Sequence, residues 1–448
     1  MQKLEELERL LDDFNPEVRR SAFLKICDME KRGEITFQPP LPIFNLHFHT
    51  FFSFNAYGYS PLHIIYKAKK ERLEMAGSVD FDVLDAMPEF LWGGLSIGIR
   101  VASGIETRIY LPEFKEQELS SPNEPGVAYY MGNGFTRLPT PNSTAEKTLT
   151  RLREIAQNRN LKVIEKINAY LPEVAIDYEK DVLPLTPGGN PTERHIIKAY
   201  DSKAELVFPK LEERIEFWSQ KLCAEPLKLK SLINNKPDFY DFLRTKLAKF
   251  GGVGYIEPDA GDFPTLKEVN SMIWELGAIP SFSWLDGTRD GEKDPDFLLD
   301  FCLEKNIESI FLVPDRNWNL EDPAERKTKV ANLYAIVEAA KKRAMPIFVG
   351  TELNKYGQKF VDDFDSPYLK PLAPYFRESA MILWGHTVLE MTSQRGYSSD
   401  WAARHFSNRL HKNEFFARLG KSIPPDKKTI DQVGQMNTPE LLQKFGSK

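Results

Sequence analysis

Asn45-Leu46-His47-Phe48-His49-Thr50 ends the first apolar run of the chain. Residues 41–48, LPIFNLHF, read as a short strand. Strand side chains alternate between faces, so His47 and His49, two residues apart, share one face. At the end of an early strand of a β/α barrel that face is the barrel mouth, where such folds place their active sites. Two imidazoles converging there suit a divalent metal. Taken alone the pair is more often structural, so the surrounding sequence has to decide.

Outward from this strand, apolar runs alternate with amphipathic helical stretches. Residues 60–76 read as a helix capped by Ser60 and opened by Pro61, with Ile64, Ile65, Ala68 and Leu73 on one face. Strands are expected at 77–83, 97–111, 278–284, 308–313, 345–351 and 380–385, helices at 265–276, 295–305 and 322–343, and a short helix or loop at 86–94. That alternation predicts parallel β/α units. Residues 112–140, rich in Pro, Gly, Ser and Asn, read as a long surface loop, and 141–248 as mostly helical. Two helices are expected over 1–37, the second starting at Asn15-Pro16, and a helical tail over 391–448.

The 448 residues carry 59 basic against 65 acidic side chains, a formal net charge of −6. That balance argues against bulk nucleic-acid binding and against an anionic membrane surface. Cys27, Cys223 and Cys302 are too scattered for a disulfide framework or a CxxC zinc site. No signal peptide and no transmembrane run is expected, so the cytoplasm follows as the expected location.

Other candidate residues lie at strand ends and at one helix start. Glu106, in Gly104-Ile105-Glu106, ends an apolar strand and could complete or bridge a metal site, or be an ordinary surface carboxylate. Val349-Gly350-Thr351-Glu352-Leu353-Asn354 follows the apolar run MPIFVG. Thr192-Glu193-Arg194-His195 opens a helix behind the glycine-rich approach Pro187-Gly188-Gly189-Asn190-Pro191, which suits an anion, with Arg194 either holding phosphate or pairing with a nearby carboxylate. Asp80 and Asp82 read equally as supports that fix histidine tautomers or as plain strand-end charges. Phe51, Phe52, Phe54 and Tyr57 are placed to wall a pocket, and His386 is expected at the end of a late strand. His63, His405 and His411 read as structural or surface residues.

In order, these pieces resemble the PHP (polymerase and histidinol phosphatase) domain family of metal-dependent phosphoesterases. The resemblance runs over about residues 42–360: His47-Phe48-His49, Ser60-Pro61, Val79-Asp80-Phe81-Asp82, Gly104-Ile105-Glu106, Glu193-Arg194-His195-Ile196-Ile197, Gly251-Gly252-Val253-Gly254-Tyr255, Phe282-Ser283-Trp284 and Gly350-Thr351-Glu352-Leu353-Asn354. The helical insertion is similar to that of a subgroup hydrolysing nucleotide and oligonucleotide phosphates. The resemblance implies a distorted (β/α)7 TIM-like barrel of PHP type, 41–390, with a helical insertion at 141–250 and helical extensions at 1–40 and 391–448.

It also implies a metal set of His47, His49, Glu106, Glu352 and His195, with His195, Arg194 and Asp80 in catalytic or supporting roles. Four positions depart from the family pattern: Phe54, Phe81, Ser283 and Asn354 stand where ligands are expected. Aromatic rings do not coordinate a divalent cation, so the three-metal centre reduces to one metal, or two, of the Zn, Mn or Fe type. The expected function is hydrolysis of a small phosphorylated substrate; the alternative is a degenerate PHP domain that binds a ligand or partner. An amidohydrolase-like enzyme also uses HxH at a barrel mouth, but the Arg-His helix start and the motif order count against it.

Overall fold

The computed structural model describes residues 2–257 and 260–446. Seven strands form one sheet in chain order: β1 (Phe44–Phe48), β2 (Met75–Phe81), β3 (Arg100–Tyr110), β4 (Val127–Asn133), β5 (Ile279–Trp284), β6 (Ser309–Leu312) and β7 (Ile347–Val349). Pairs β1–β2, β2–β3, β5–β6 and β6–β7 are parallel, whereas β4 runs antiparallel to both β3 and β5. Just past β7 the chain returns to β1. The Glu352 N–H donates to the His47 carbonyl and the His49 N–H to the Glu352 carbonyl, each at 2.8 Å. The sheet therefore closes into a distorted TIM-like barrel, flanked by helices, at the level of the two histidines.

Asn45 holds this seam. Its Oδ1 accepts the N–H groups of His47 (2.9 Å) and Thr351 (3.2 Å), and its Nδ2 donates to Thr351 Oγ1 (2.6 Å) and the Phe360 carbonyl (3.0 Å). All the hydrogen-bonding capacity of one buried amide is spent on closure. Gly350 permits the approach: a Cβ there would lie 2.4 Å from Asn45 Oδ1 and 2.5 Å from both His47 N and His47 Cβ.

Local signals place the flanking helices. Ser60 caps the helix Pro61–Lys70 by accepting from the His63 N–H, and Asn15 caps Pro16–Lys31. Leu7, Leu11, Phe23 and Ile26 near the start of the chain and Phe415, Leu419 and Phe445 near its end belong to the same apolar core as the barrel. The helical insertion has a core of its own, with Ile167, Tyr200, Trp218, Phe239 and Leu243. Among the described residues no helix is long and apolar enough to cross a membrane.

Two sequence expectations fail. Residues 112–140 are not one loop, because they contain β4, a mostly buried strand between β3 and β5. Residues 380–385 are not a strand but the middle of the helix Ala373–Ser393, whose run from Ser379 to Glu390 is entirely buried. A short apolar run lacks the periodicity that separates a strand from a buried helix. His386 thus sits in mid-helix, accepting from the Tyr397 N–H at Nδ1 (2.9 Å) and donating from Nε2 to the Gly134 carbonyl (3.0 Å), so it ends no strand.

Gly350→Ala is expected to lower stability by about 1–3 kcal/mol, because the methyl displaces β1 at His47. Urea unfolding of the variant beside the wild type measures this.

Candidate metal centre

His47 and His49 reach the barrel mouth from the end of β1, and Glu106 joins them from β3. Their ligand atoms lie within 4.8 Å of one another. The two Nε2 atoms are 3.2 Å apart, and Glu106 Oε2 is 3.5 Å from His47 Nε2 and 3.3 Å from His49 Nε2. Four tetrahedral ligands on 2.0–2.1 Å bonds are spaced about 3.3 Å apart. The triangle thus already has the spacing of one face of a metal tetrahedron. All three residues are buried, and neither Glu106 Oε2 nor His47 Nδ1 has a well-formed hydrogen bond. An orphaned carboxylate oxygen facing two imidazole nitrogens is a donor set that a cation would satisfy.

A hydrogen-bond chain sets the His49 tautomer. Asp80, buried at the end of β2, accepts the Thr50 N–H (2.8 Å) and the Ser53 hydroxyl (2.6 Å) at Oδ1, and the Thr50 hydroxyl (2.7 Å) at Oδ2. With its proton committed to Asp80, Ser53 Oγ accepts from His49 Nδ1–H at 3.1 Å. His49 Nε2 is left bare and turned toward Glu106 and His47. Burial alone would raise the Glu106 carboxyl, but the two imidazoles facing it, His47 and His49, hold it down at about 2.

The remaining expected site residues separate. Glu352 lines the same cavity but lies outside the triangle, its Oε2 held by Arg316 Nη2 (2.5 Å) and Gln358 Nε2 (3.4 Å). Glu352 and Leu353 are both left-handed, at φ 70° and 56°, a conformation costly for side-chain-bearing residues and sustained here by the barrel seam. His195 also stays out. Its Nδ1 accepts the Thr192 N–H at 3.0 Å, and the ring lines a neighbouring cavity, in edge-to-face contact with Phe54 at 5.1 Å. Burial lowers its pKa to about 3. Arg194 takes the pairing alternative, 3.0 Å from Asp241 Oδ1. Asp82 accepts from Thr107 Oγ1 at 2.6 Å, one strand away from the histidines.

Phe81 stacks on His49 with centroids 4.4 Å apart, and Phe54, Phe81, Ser283 and Asn354 all line the cavity. Of the four aromatics after HxH, only Phe54 lines this cavity. The cavity holds about 320 Å³ and presents Arg194, Arg244, Lys249 and Arg316 against Glu106, Glu193 and Glu352. Of these, Arg244, Lys249 and Arg316, like the supporting Ser53, belong to none of the motifs that mark the site in the sequence. Arg316 lies just past β6 in Val313-Pro314-Asp315-Arg316, a polar strand end of the kind that flagged Glu106.

No protein-family model matches the chain, and no curated protein matches it in sequence. Among solved structures it is similar to a protein of Bifidobacterium adolescentis provisionally described as a metal-dependent phosphoesterase. That match has 15% identity and a TM-score of 0.48, and covers 73% of this chain and 94% of that one. It is also similar to an amidohydrolase from Chromobacterium violaceum with bound sulfate and no metal, at 14% identity and a TM-score of 0.47, over 75% of this chain and 96% of that one.

His195 supplies a pH test. A histidine whose folded pKa is depressed favours the fold in its neutral form. Its contribution is complete above the ordinary value of 6.5 and is lost as pH falls toward about 3. Between those limits it adds a slope of up to about 1.4 kcal/mol per pH unit. His195→Asn is expected to flatten the fall in stability between pH 6.5 and pH 4, read from urea midpoints; equal slopes in the two proteins would show that the ring is protonated in the fold.

Proposed function

We propose that the chain is a PHP-type, metal-dependent phosphoesterase that hydrolyses a small phosphorylated substrate at the barrel mouth. The observation that carries this reading is the buried triangle of His47 Nε2, His49 Nε2 and Glu106 Oε2, at tetrahedral spacing and with its carboxylate oxygen orphaned. These three residues would hold one divalent ion of the Zn, Mn or Fe type, and Glu352 would complete the set by leaving Arg316. Once bound, the ion would lower the pKa of a coordinated water and polarise a phosphoryl oxygen.

The chain's own residues supply the rest. Asp80, through Ser53, keeps the His49 lone pair on Nε2. Arg316, Arg244 and Lys249 give the cavity a cationic wall suited to a phosphate. The barrel, 41–390, carries the ligands, and the insertion, 141–250, supplies Thr192, Glu193, Arg194, Arg244 and Lys249 to the cavity. Phe81 on His49 and Phe54 on the wall favour a single ion over a cluster. The same substitutions, with Glu352 drawn to Arg316, favour a second reading, a degenerate domain that binds a phosphorylated ligand without cleaving it.

Elemental analysis of the purified chain separates the two readings. Close to one metal per chain is expected, lost in the His47→Ala/His49→Ala double variant. Ser53→Ala, which leaves the triangle intact but removes the tautomer support, is expected to weaken metal binding by about 10- to 100-fold. A screen of nucleotides, bisphosphates and sugar phosphates is expected to find a substrate. No metal even after reconstitution leaves the binding reading, and turnover only of esters or amides without phosphate rejects both.

A further inference from the structure

A second cavity, of about 490 Å³, lies beside the metal cavity. Phe54, Arg194 and Arg244 line both, whereas Glu106 and Glu352 line only the first. Its wall is assembled from the N-terminal extension (Phe14), the loop after β1 (Tyr57), the insertion (His195, Lys198) and the loop after β7 (Tyr356). None of the metal-site chemistry explains why these segments converge there.

Two features give it a chemistry. His195 is buried and lines it, and because Nδ1 accepts the Thr192 N–H, the neutral ring carries its proton on Nε2. That Nε2–H makes no hydrogen bond to a described residue. One turn further along the same helix, Glu193–Val207, Lys198 is exposed on the cavity and has no ion-pair partner among the described residues. The one carboxylate on the wall, Asp241, is already taken by Arg194 at 3.0 Å and Lys355 at 3.2 Å. An N–H donor and a cation therefore stand together without an anion.

The apolar part of the wall is aromatic. Phe14, Tyr57 and Tyr356 are 46%, 39% and 57% exposed at the cavity, with Tyr57 and Tyr356 in contact at 4.9 Å. Exposed rings gathered at a concave site offer flat faces to a flat ligand.

We propose that this cavity is a second ligand site for a planar aromatic compound bearing one compact anionic group, the anion held by His195 Nε2–H and Lys198 and the ring covered by Phe14, Tyr57 and Tyr356. No residue of the metal triangle lines this site, although Phe54, Arg194 and Arg244 form the partition between the two cavities.

Calorimetric titration of the full-length, metal-reconstituted chain with 1-naphthalenesulfonate tests it. Saturable one-to-one binding is expected, weakened about tenfold or more by Lys198→Glu and about three- to tenfold by Tyr57→Ala. Glu106→Gln, in the metal triangle, is expected to leave binding unchanged, and cyclohexanesulfonate to bind more weakly than the naphthalene. Absence of saturable binding overturns the proposal. So does binding indifferent to either cavity substitution, binding lost in Glu106→Gln, or equal affinity for the cyclohexane probe.

Discussion

The closure of the barrel between β1 and the segment after β7 is the constraint on which the rest depends. Across the seam the Glu352 N–H donates to the His47 carbonyl and the Glu352 carbonyl accepts from the His49 N–H, and Asn45 locks both sides with its amide. The residues that close the sheet are thus the residues, or the immediate neighbours, that present the ligand atoms. The backbone of β1 is fixed by ladder and amide together, so the two imidazoles have little freedom to separate. Glu352 is anchored equally well through its backbone, but its side chain is drawn to Arg316 and Gln358, so it shares the cavity without joining the triangle.

Around that seam, polar groups are ordered by a short chain of proton donors. Asp80 makes its hydrogen bonds to Thr50 and Ser53, yet through Ser53 it decides which nitrogen of His49 is bare. His195 shows the same logic in reverse: a backbone N–H at the start of its helix occupies Nδ1 and forces the proton to the far edge of the ring. Two histidines that look alike in sequence are therefore an acceptor toward the barrel axis and a donor toward the adjacent cavity.

The sequence made the frame legible where local rules are strong. The alternation of apolar runs and helices marked six of the seven strands, and the i, i+2 spacing correctly put His47 and His49 on one face. It failed at β4, where Gly126, Gly132 and Gly134 and the proline-rich approach hide a strand whose order comes from two antiparallel neighbours rather than from its own residues. It failed again at Met381-Ile382-Leu383-Trp384, since a helix buried all round has no polar face to betray its period. For the site, the family resemblance could position His195 in the chain but not orient its ring. The rotamer depends on Phe54 and on the Thr192 N–H, contacts that no motif encodes. Arg316 and Ser53 matter through partners distant in sequence or through a third residue, so neither stands out in a linear reading.

The seam also bears on how the chain folds. The bond from Asn45 to Thr351 joins residues 306 positions apart, so it closes a loop holding most of the molecule. Contacts of such separation form late, because the chain entropy between them has to be lost first. The seam is accordingly among the last parts to assemble, and Glu352 comes to the cavity beside Glu106 only in a chain whose whole sheet is in place. The triangle itself joins only β1 and β3, so a cation bound there would brace the first strands of the ring and leave the seam to its own backbone and amide bonds.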